Sequence, residues 1–256
     1  MFWVFNKDKI MSYIVTIFTV AVLFLTASTF GGTEEVIETS ANNGKLLPIY
    51  SVDTNESKVS ITINCAWNAD DIDMILETLK KQDVKATFFM VGDWVEKYGD
   101  SVKKIFEEGH EIGNHSYNHP HVNNLSLEKN KEQIQKCSDL IKNITGVGTS
   151  LYRGPYGEYN NTVIESAENL GHTTIQWSID TLDYKGLTEE QMWGKIEPKL
   201  ENGSIILMHN GTENTALSLN GIITKIKEKG YTIVPVSELI YTENYTIDNN
   251  GIQHKT

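Results

Sequence analysis

Four short clusters in this chain hold the residue types that metal-assisted and acid–base chemistry requires. His115 and His119, in His115-Ser116-Tyr117-Asn118-His119-Pro120-His121, are spaced so that one helical turn brings both imidazoles to one side. Neutral imidazole ligates Zn, Co, Ni or Fe, and two of them with a carboxylate leave room for water. Arg153-Gly154-Pro155-Tyr156-Gly157 places an arginine before a rigid turn. Such an arginine can orient a carboxylate through a bidentate contact, and the turn can aim backbone N–H groups at a developing oxyanion. Asp180 and Asp183 form Asp-x-x-Asp-Tyr, where a buried Asp could hold Arg153. Leu207-Met208-His209 ends an apolar run on a histidine, a fitting place for a general acid toward a leaving amine. Taken singly, each has an ordinary explanation: a chance histidine pair, a proline turn, a solvated loop, a satisfied structural histidine. His110 and His121 read as surface or supporting residues.

The elements that must position these residues follow from apolar spacing. Short apolar runs at 59–66, 84–92, 111–115, 149–153, 173–179, 204–209 and 231–235 read as strands. Helical spacing, as in Ile72, Ile75, Leu76 and Leu79, marks 71–81, 101–108, 127–144, 160–170, 188–200 and 215–229. Gly109, Gly171 and Gly230 directly follow helical patterns, where a left-handed cap is commonly needed. Strand–helix alternation repeated about seven times implies an α/β fold with parallel strands, either a barrel or an open sheet. Function then belongs at the C-terminal strand ends. The four clusters and the 64–67 stretch all fall there, which points to one shared site.

The chain has 256 residues, one ordinary domain with attachments. Its net charge of −12 excludes a dedicated nucleic-acid binder, which needs clustered cations. Two cysteines, Cys65 and Cys137, are too few for a disulfide scaffold. Residues 10–33 carry no charge; Lys7 and Lys9 precede them and Glu34, Glu35 and Glu38 follow. That is the pattern of an N-in, C-out segment, so 1–32 is expected to be a transmembrane anchor or a cleaved signal peptide. No clean A-x-A site is present, which favours the anchor. Either way the folded body is expected outside the cytoplasm, on the membrane or secreted. Residues 33–57 read as a linker, 58–242 as the domain and 243–256 as a polar tail.

The ordered series His-Ser-x-x-His, Arg-x-Pro-Tyr-Gly, Asp-x-x-Asp-aromatic and Leu-x-His resembles the polysaccharide deacetylases, the NodB-homology group or carbohydrate esterase family 4. Lys85-Ala86-Thr87-Phe88-Phe89 and Gly109-His110-Glu111-Ile112-Gly113-Asn114-His115 are also typical of that family. The resemblance covers about residues 58–242. It implies a distorted (β/α) barrel of about seven parallel strands and metal-dependent removal of N-acetyl groups from peptidoglycan or chitin-like glycans. It further implies His115 and His119 as metal ligands, with zinc or cobalt as the metal, and the Tyr156 backbone N–H as oxyanion donor. His209 would be the general acid and Arg153 with Asp180 an orienting pair; Pro155, Tyr156 and Leu207 would contact substrate.

The first family motif, usually Thr-Phe-Asp-Asp-Gly, reads Thr62-Ile63-Asn64-Cys65-Ala66 here. Asn64 occupies the position of the base, and an amide has no basic form near neutral pH. Cys65 stands where the metal carboxylate is expected. Asp70 or Asp71 could supply that carboxylate from the following loop, or could simply be helix N-terminal acids. Two functions therefore compete. One is de-N-acetylation of a wall glycan. The other is a catalytically impaired homologue that keeps the site as a glycan- or metal-binding module.

Overall fold

The computed structural model describes residues 44–256, and everything structural below concerns those residues. The segment at 10–33 lies outside them. No helix among the described residues is long and apolar enough to cross a membrane.

A short β1 (Ser51–Val52) precedes the central strand β2 (Lys58–Cys65). After it come β3 (Thr87–Met90), β4 (Glu111–Asn114), β5 (Leu151–Tyr152), β6 (Thr173–Thr174), β7 (Ile179–Asp180), β8 (Ile205–His209) and β9 (Thr232–Ile233). The main sheet runs β6-β5-β4-β3-β2-β8-β7, with β9 paired to the start of β2, and every pairing is parallel. The helices are α1 (Ile72–Lys81), α2 (Gly92–Lys97), α3 (Gly99–Glu107), α4 (Leu127–Thr145), α5 (Asn161–Glu168), α6 (Glu189–Ile196), α7 (Thr215–Glu228) and α8 (Val236–Leu239).

Alternation along β2 sorts its side chains to two faces. Val59, Ile61, Ile63 and Cys65 join the apolar core with Ile72, Ile75 and Leu79 of α1 and Leu219, Ile222 and Ile226 of α7. Each such fully buried aliphatic contributes roughly 1.5–3 kcal/mol, so this layer fixes the register of the central strand. The opposite face carries Ser60, Thr62 and Asn64, all buried. Ser60 Oγ donates to the Val234 carbonyl and Thr62 Oγ1 to that of Ile206, and Asn64 Oδ1 accepts from Arg153, so the whole polar stripe is hydrogen-bonded. Helix ends follow local rules: Ser126 Oγ caps α4, Gly146 ends it at φ 77°, and Thr188 with Gln191 forms a capping box on α6.

The seven parallel strands expected of a distorted barrel are present, and because β6 and β7 remain as edges they form a half-barrel. Three other expectations are revised. The run 173–179 is two strands, because the chain breaks from β6 before pairing with β8 as β7. The described part of the expected linker is built into the body: Ile49 is fully buried and pairs with Ile175, and β1 pairs with β11 (Ile252–Lys255). Residues 243–256 contain β10 (Tyr245–Ile247) and β11, an antiparallel hairpin, where a polar tail was expected. Gly203 makes this closure possible, since a Cβ there would sit 1.7 Å from the Val52 carbonyl oxygen.

Candidate functional site at the C-terminal strand ends

The register of β2 against β8 sets Asn64 beside His209 on one face of the sheet. His115 follows β4 directly; its N–H donates to the Met90 carbonyl at 3.0 Å, and its side chain is 1% exposed. The 115–119 segment is a loop, not the helical turn its spacing allows. Ser116 and His119 have φ of 64° and 55°. The loop is held by Gly92 N–H to Ser116 O and Asp93 N–H to Tyr117 O, at the start of α2. The loop still brings the two imidazoles together, edge to face, with ring centroids 5.0 Å apart. Burial lowers the pKa of His115 well below its ordinary value, with His119 adding to the effect, and burial also lowers that of His119. Both rings are therefore neutral at physiological pH.

Arg153 emerges from β5 and is completely buried. Its guanidinium donates to Asn64 Oδ1 (3.0 Å), Thr62 Oγ1 (2.9 Å), Gln176 O (2.9 Å) and Ile175 O (3.4 Å), and it lies 4.1 Å over the Phe89 ring. None of these acceptors is a carboxylate. Desolvation pulls its pKa down to about 9, which leaves it charged at neutral pH. The expected Arg153–Asp180 pair is not formed. Asp180 turns back on its own loop and accepts from Leu182 N–H at 2.9 Å.

The acid that matters in that loop is Asp183. It is fully buried, its Oδ1 lies 2.9 Å from His209 Nδ1, and its Oδ2 accepts from the His209 backbone N–H and from Thr215 Oγ1. Leu182, at φ 55°, makes the turn that separates the two aspartates. An i, i+3 pair gives no way to choose between them from sequence; a polar residue such as Thr215, heading α7, is the kind of partner that could have signalled the choice.

Asp70 and Asp71 do not join the histidines. Asp70 is exposed. The Asp71 carboxylate instead clamps the loop after β8, accepting from Gly211 N–H at 2.7 Å and Asn210 Nδ2 at 3.2 Å, and desolvation raises its pKa. Cys65 points into the apolar core, where burial pushes its thiol pKa well up. Among the described residues no three His, Cys, Asp or Glu side chains gather as a metal-ligand set. His115 and His119 are the two imidazoles of such a set, but the carboxylate is missing, so the residues present do not fit a His₂-carboxylate centre.

Tyr156 sits at φ 60° in the turn after Arg153, 60% exposed, with Pro155 buried beneath it. A Cβ at Gly154 would lie 2.2 Å from Glu158 O, so only glycine admits this turn. The turn's own bonds run from Gly157 N–H to Gly154 O and from Glu158 N–H to Pro155 O. Leu207 is buried in β8, in register with Thr62 of β2 and Asp180 of β7. The cleft walls are aromatic; Tyr156 was expected there from the sequence, while Trp67 and Tyr184 were not. Trp67 and Tyr184 each lie 5.4 Å from the His209 ring, while His119 and His121 pack on Tyr156 at 4.5 and 4.4 Å. Among the described residues, three of the six exposed large hydrophobics, Trp67, Tyr156 and Tyr184, flank this one cleft. His121 thus belongs to the site's wall, whereas His110 is buried under β3, accepting from Ala86 N–H.

Comparison with known proteins gives the same picture. Residues 51–175 match the family model Polysaccharide deacetylase. The chain is 38% identical over 193 residues to the uncharacterized protein YlxY of Bacillus subtilis, covering 75% of this chain and 60% of that one. It is 31% identical to a peptidoglycan-N-acetylglucosamine deacetylase of Bacillus cereus, covering 75% of this chain and 72% of the relative. Among solved structures, BA3943, a CE4 family pseudoenzyme from Bacillus anthracis, superposes with a TM-score of 0.73 at 35% identity, covering 82% of this chain and 73% of that one. On the family match, the sequence identity to the deacetylases and the structural superposition, this chain belongs to the polysaccharide deacetylases of carbohydrate esterase family 4, a family of hydrolases, and carries an altered first motif.

Proposed function

We propose that this chain binds N-acetylated wall glycan in the His209–Tyr156 cleft, with hydrolysis impaired at the step that activates water. The observation carrying this reading is Asn64, whose amide lies between Arg153 and His115 where the family resemblance places a carboxylate base. An amide cannot take the proton of an attacking water. The binding half of the site is built: Trp67, Tyr156 and Tyr184 offer exposed rings to sugar faces around a polar floor. A mutant of the related BA3943 pseudoenzyme is described as having restored enzymatic activity, which fits a disarmed but intact scaffold.

A second reading, slow metal-dependent deacetylation, is favoured by the intact Asp183–His209 pair. That pair fixes the His209 ring so that Nε2 faces away from Asp183, ready to hand a proton to a departing amine. We place either function outside the cytoplasm, in keeping with the uncharged 10–33 stretch and with relatives that are peptidoglycan deacetylases.

The deciding experiment measures binding to peptidoglycan and N-acetylglucosamine oligomers together with acetate release, with added zinc or cobalt. The full chain is compared with Asn64→Asp. Binding without release by the natural chain, and release at least ~100-fold faster in Asn64→Asp, is the expected result. Equal release by both would establish the second reading, and no glycan binding by either would remove the proposal.

A further inference from the structure

Asn64 does more than lack a basic form. Arg153 carries only donors, so the atom of Asn64 that faces Nη1 at 3.0 Å must be the amide oxygen. The reverse orientation would set two N–H groups against each other with no water to separate them. The amide NH₂ is thereby turned toward His115, and Nδ2 lies 3.4 Å from His115 Nε2. The other ring nitrogen, Nδ1, is 2.6 Å from the Arg153 carbonyl oxygen, which can only accept. Nδ1 therefore carries the proton and Nε2 the lone pair. The bonds close a ring: the Arg153 guanidinium to Asn64 Oδ1, Asn64 Nδ2 to His115 Nε2, and His115 Nδ1 back to the Arg153 carbonyl. Every donor in that ring has one acceptor, and all three residues are buried.

We propose that Asn64 is a plug: its amide N–H occupies the His115 Nε2 lone pair, and a divalent cation approaching His115 and His119 must first break that bond. An aspartate in the same place could only accept, and would leave the lone pair free. This goes beyond the absence of a base, because it assigns the amide an active part in keeping His115 hydrogen-bonded and the histidine pair metal-poor. It shares with the proposed function the placement of the Asn64 amide between Arg153 and His115, but not the glycan. Failure of glycan binding would leave the metal titration unaffected, and the reverse holds too.

The test is calorimetric titration of zinc or cobalt into the full chain, Asn64→Ala and Asn64→Asp, with His115→Ala as the control for site. Asn64→Ala adds no ligand, so any gain in affinity comes from removing the plug. Its expected affinity is about five- to tenfold above the natural chain, the worth of one buried hydrogen bond, with Asn64→Asp tighter still. Zinc affinity of Asn64→Ala equal to or below that of the natural chain would overturn the proposal and leave the missing carboxylate as the whole effect. A second readout does not depend on the variant folding: imidazole ¹⁵N spectra of the natural chain. They should show His115 protonated at Nδ1 with Nε2 accepting a hydrogen bond, and a proton on Nε2 would also overturn it.

Discussion

Asp183 grips His209 at two points, accepting from its backbone N–H at 2.6 Å through one oxygen while the other lies 2.9 Å from Nδ1. The first oxygen also takes the Thr215 hydroxyl at 2.7 Å, so the carboxylate joins β8, the loop after β7 and the start of α7. Replacing Asp183 by Asn turns one acceptor into a donor facing other donors. Asp183→Asn is expected to cost about 3 kcal/mol of stability by urea unfolding. In an Asn64→Asp background it should also lower acetate release by at least ~100-fold, because the ring loses its fixed tautomer. A variant as stable as the parent would show that the grip is idle.

Arg153→Met removes a cation but leaves Asn64 Oδ1, Thr62 Oγ1 and two carbonyls short of a donor in a dry site. The expected loss is at least ~3 kcal/mol, read from the urea midpoint. Arg153→Lys cannot reach four acceptors with one ammonium and should recover only part of that loss.

Stability should fall as the solution is acidified from neutrality. Burial, with Lys85 nearby, pushes the pKa of His110 down to about 4 from an ordinary 6.5. Between those values the unfolded chain binds the extra proton and the folded chain does not. The stabilisation is thus complete above the unfolded value and is lost as pH falls, by at most about 1.4 kcal/mol per unit for this residue. His115, His119 and His172 are shifted the same way by burial and steepen the slope. His254, raised by Asp53, opposes it weakly because it is exposed. Unfolding at about pH 7.5 and about pH 5 should show the loss, and His110→Gln, which still offers Ala86 an acceptor, should flatten it. An unchanged slope in that variant would assign the acid sensitivity to other groups.

The aromatic walls make a separate prediction about binding. Trp67→Ala and Tyr184→Ala each expose one side of His209, and each should weaken binding of N-acetylglucosamine oligomers by roughly tenfold. Melting temperatures should barely move, since both side chains are nearly half exposed. Undiminished binding in both would place the sugar elsewhere.

Much of the architecture was legible because it rests on local periodicity. Ile72, Ile75, Leu76 and Leu79 announce α1, and the apolar run ending at His209 announces β8. The gathering of His115, Arg153, Asn64 and His209 also followed from their positions at strand ends. What escaped depends on distant partners. β1 and β11 are short and polar, and they become strands only by pairing across 201 positions, from Ser51 to Ile252. The helix at Gly92 hid behind an apolar run that reads as a longer strand. Asp183 could not be told from Asp180 because the left-handed turn at Leu182 reverses which of them faces the sheet.

Six non-glycine residues of the described chain have left-handed backbones, and four of them, Ser116, His119, Tyr156 and Leu182, stand around the cleft with φ between 55° and 64°. Each holds roughly 1–2 kcal/mol of strain, which glycine would relieve at some cost in unfolded-state entropy. The fold's spare thermal headroom is therefore concentrated at its working end. Selection for heat resistance alone would drift toward glycine at these four positions, and its winners would be proteins whose cleft had lost its shape.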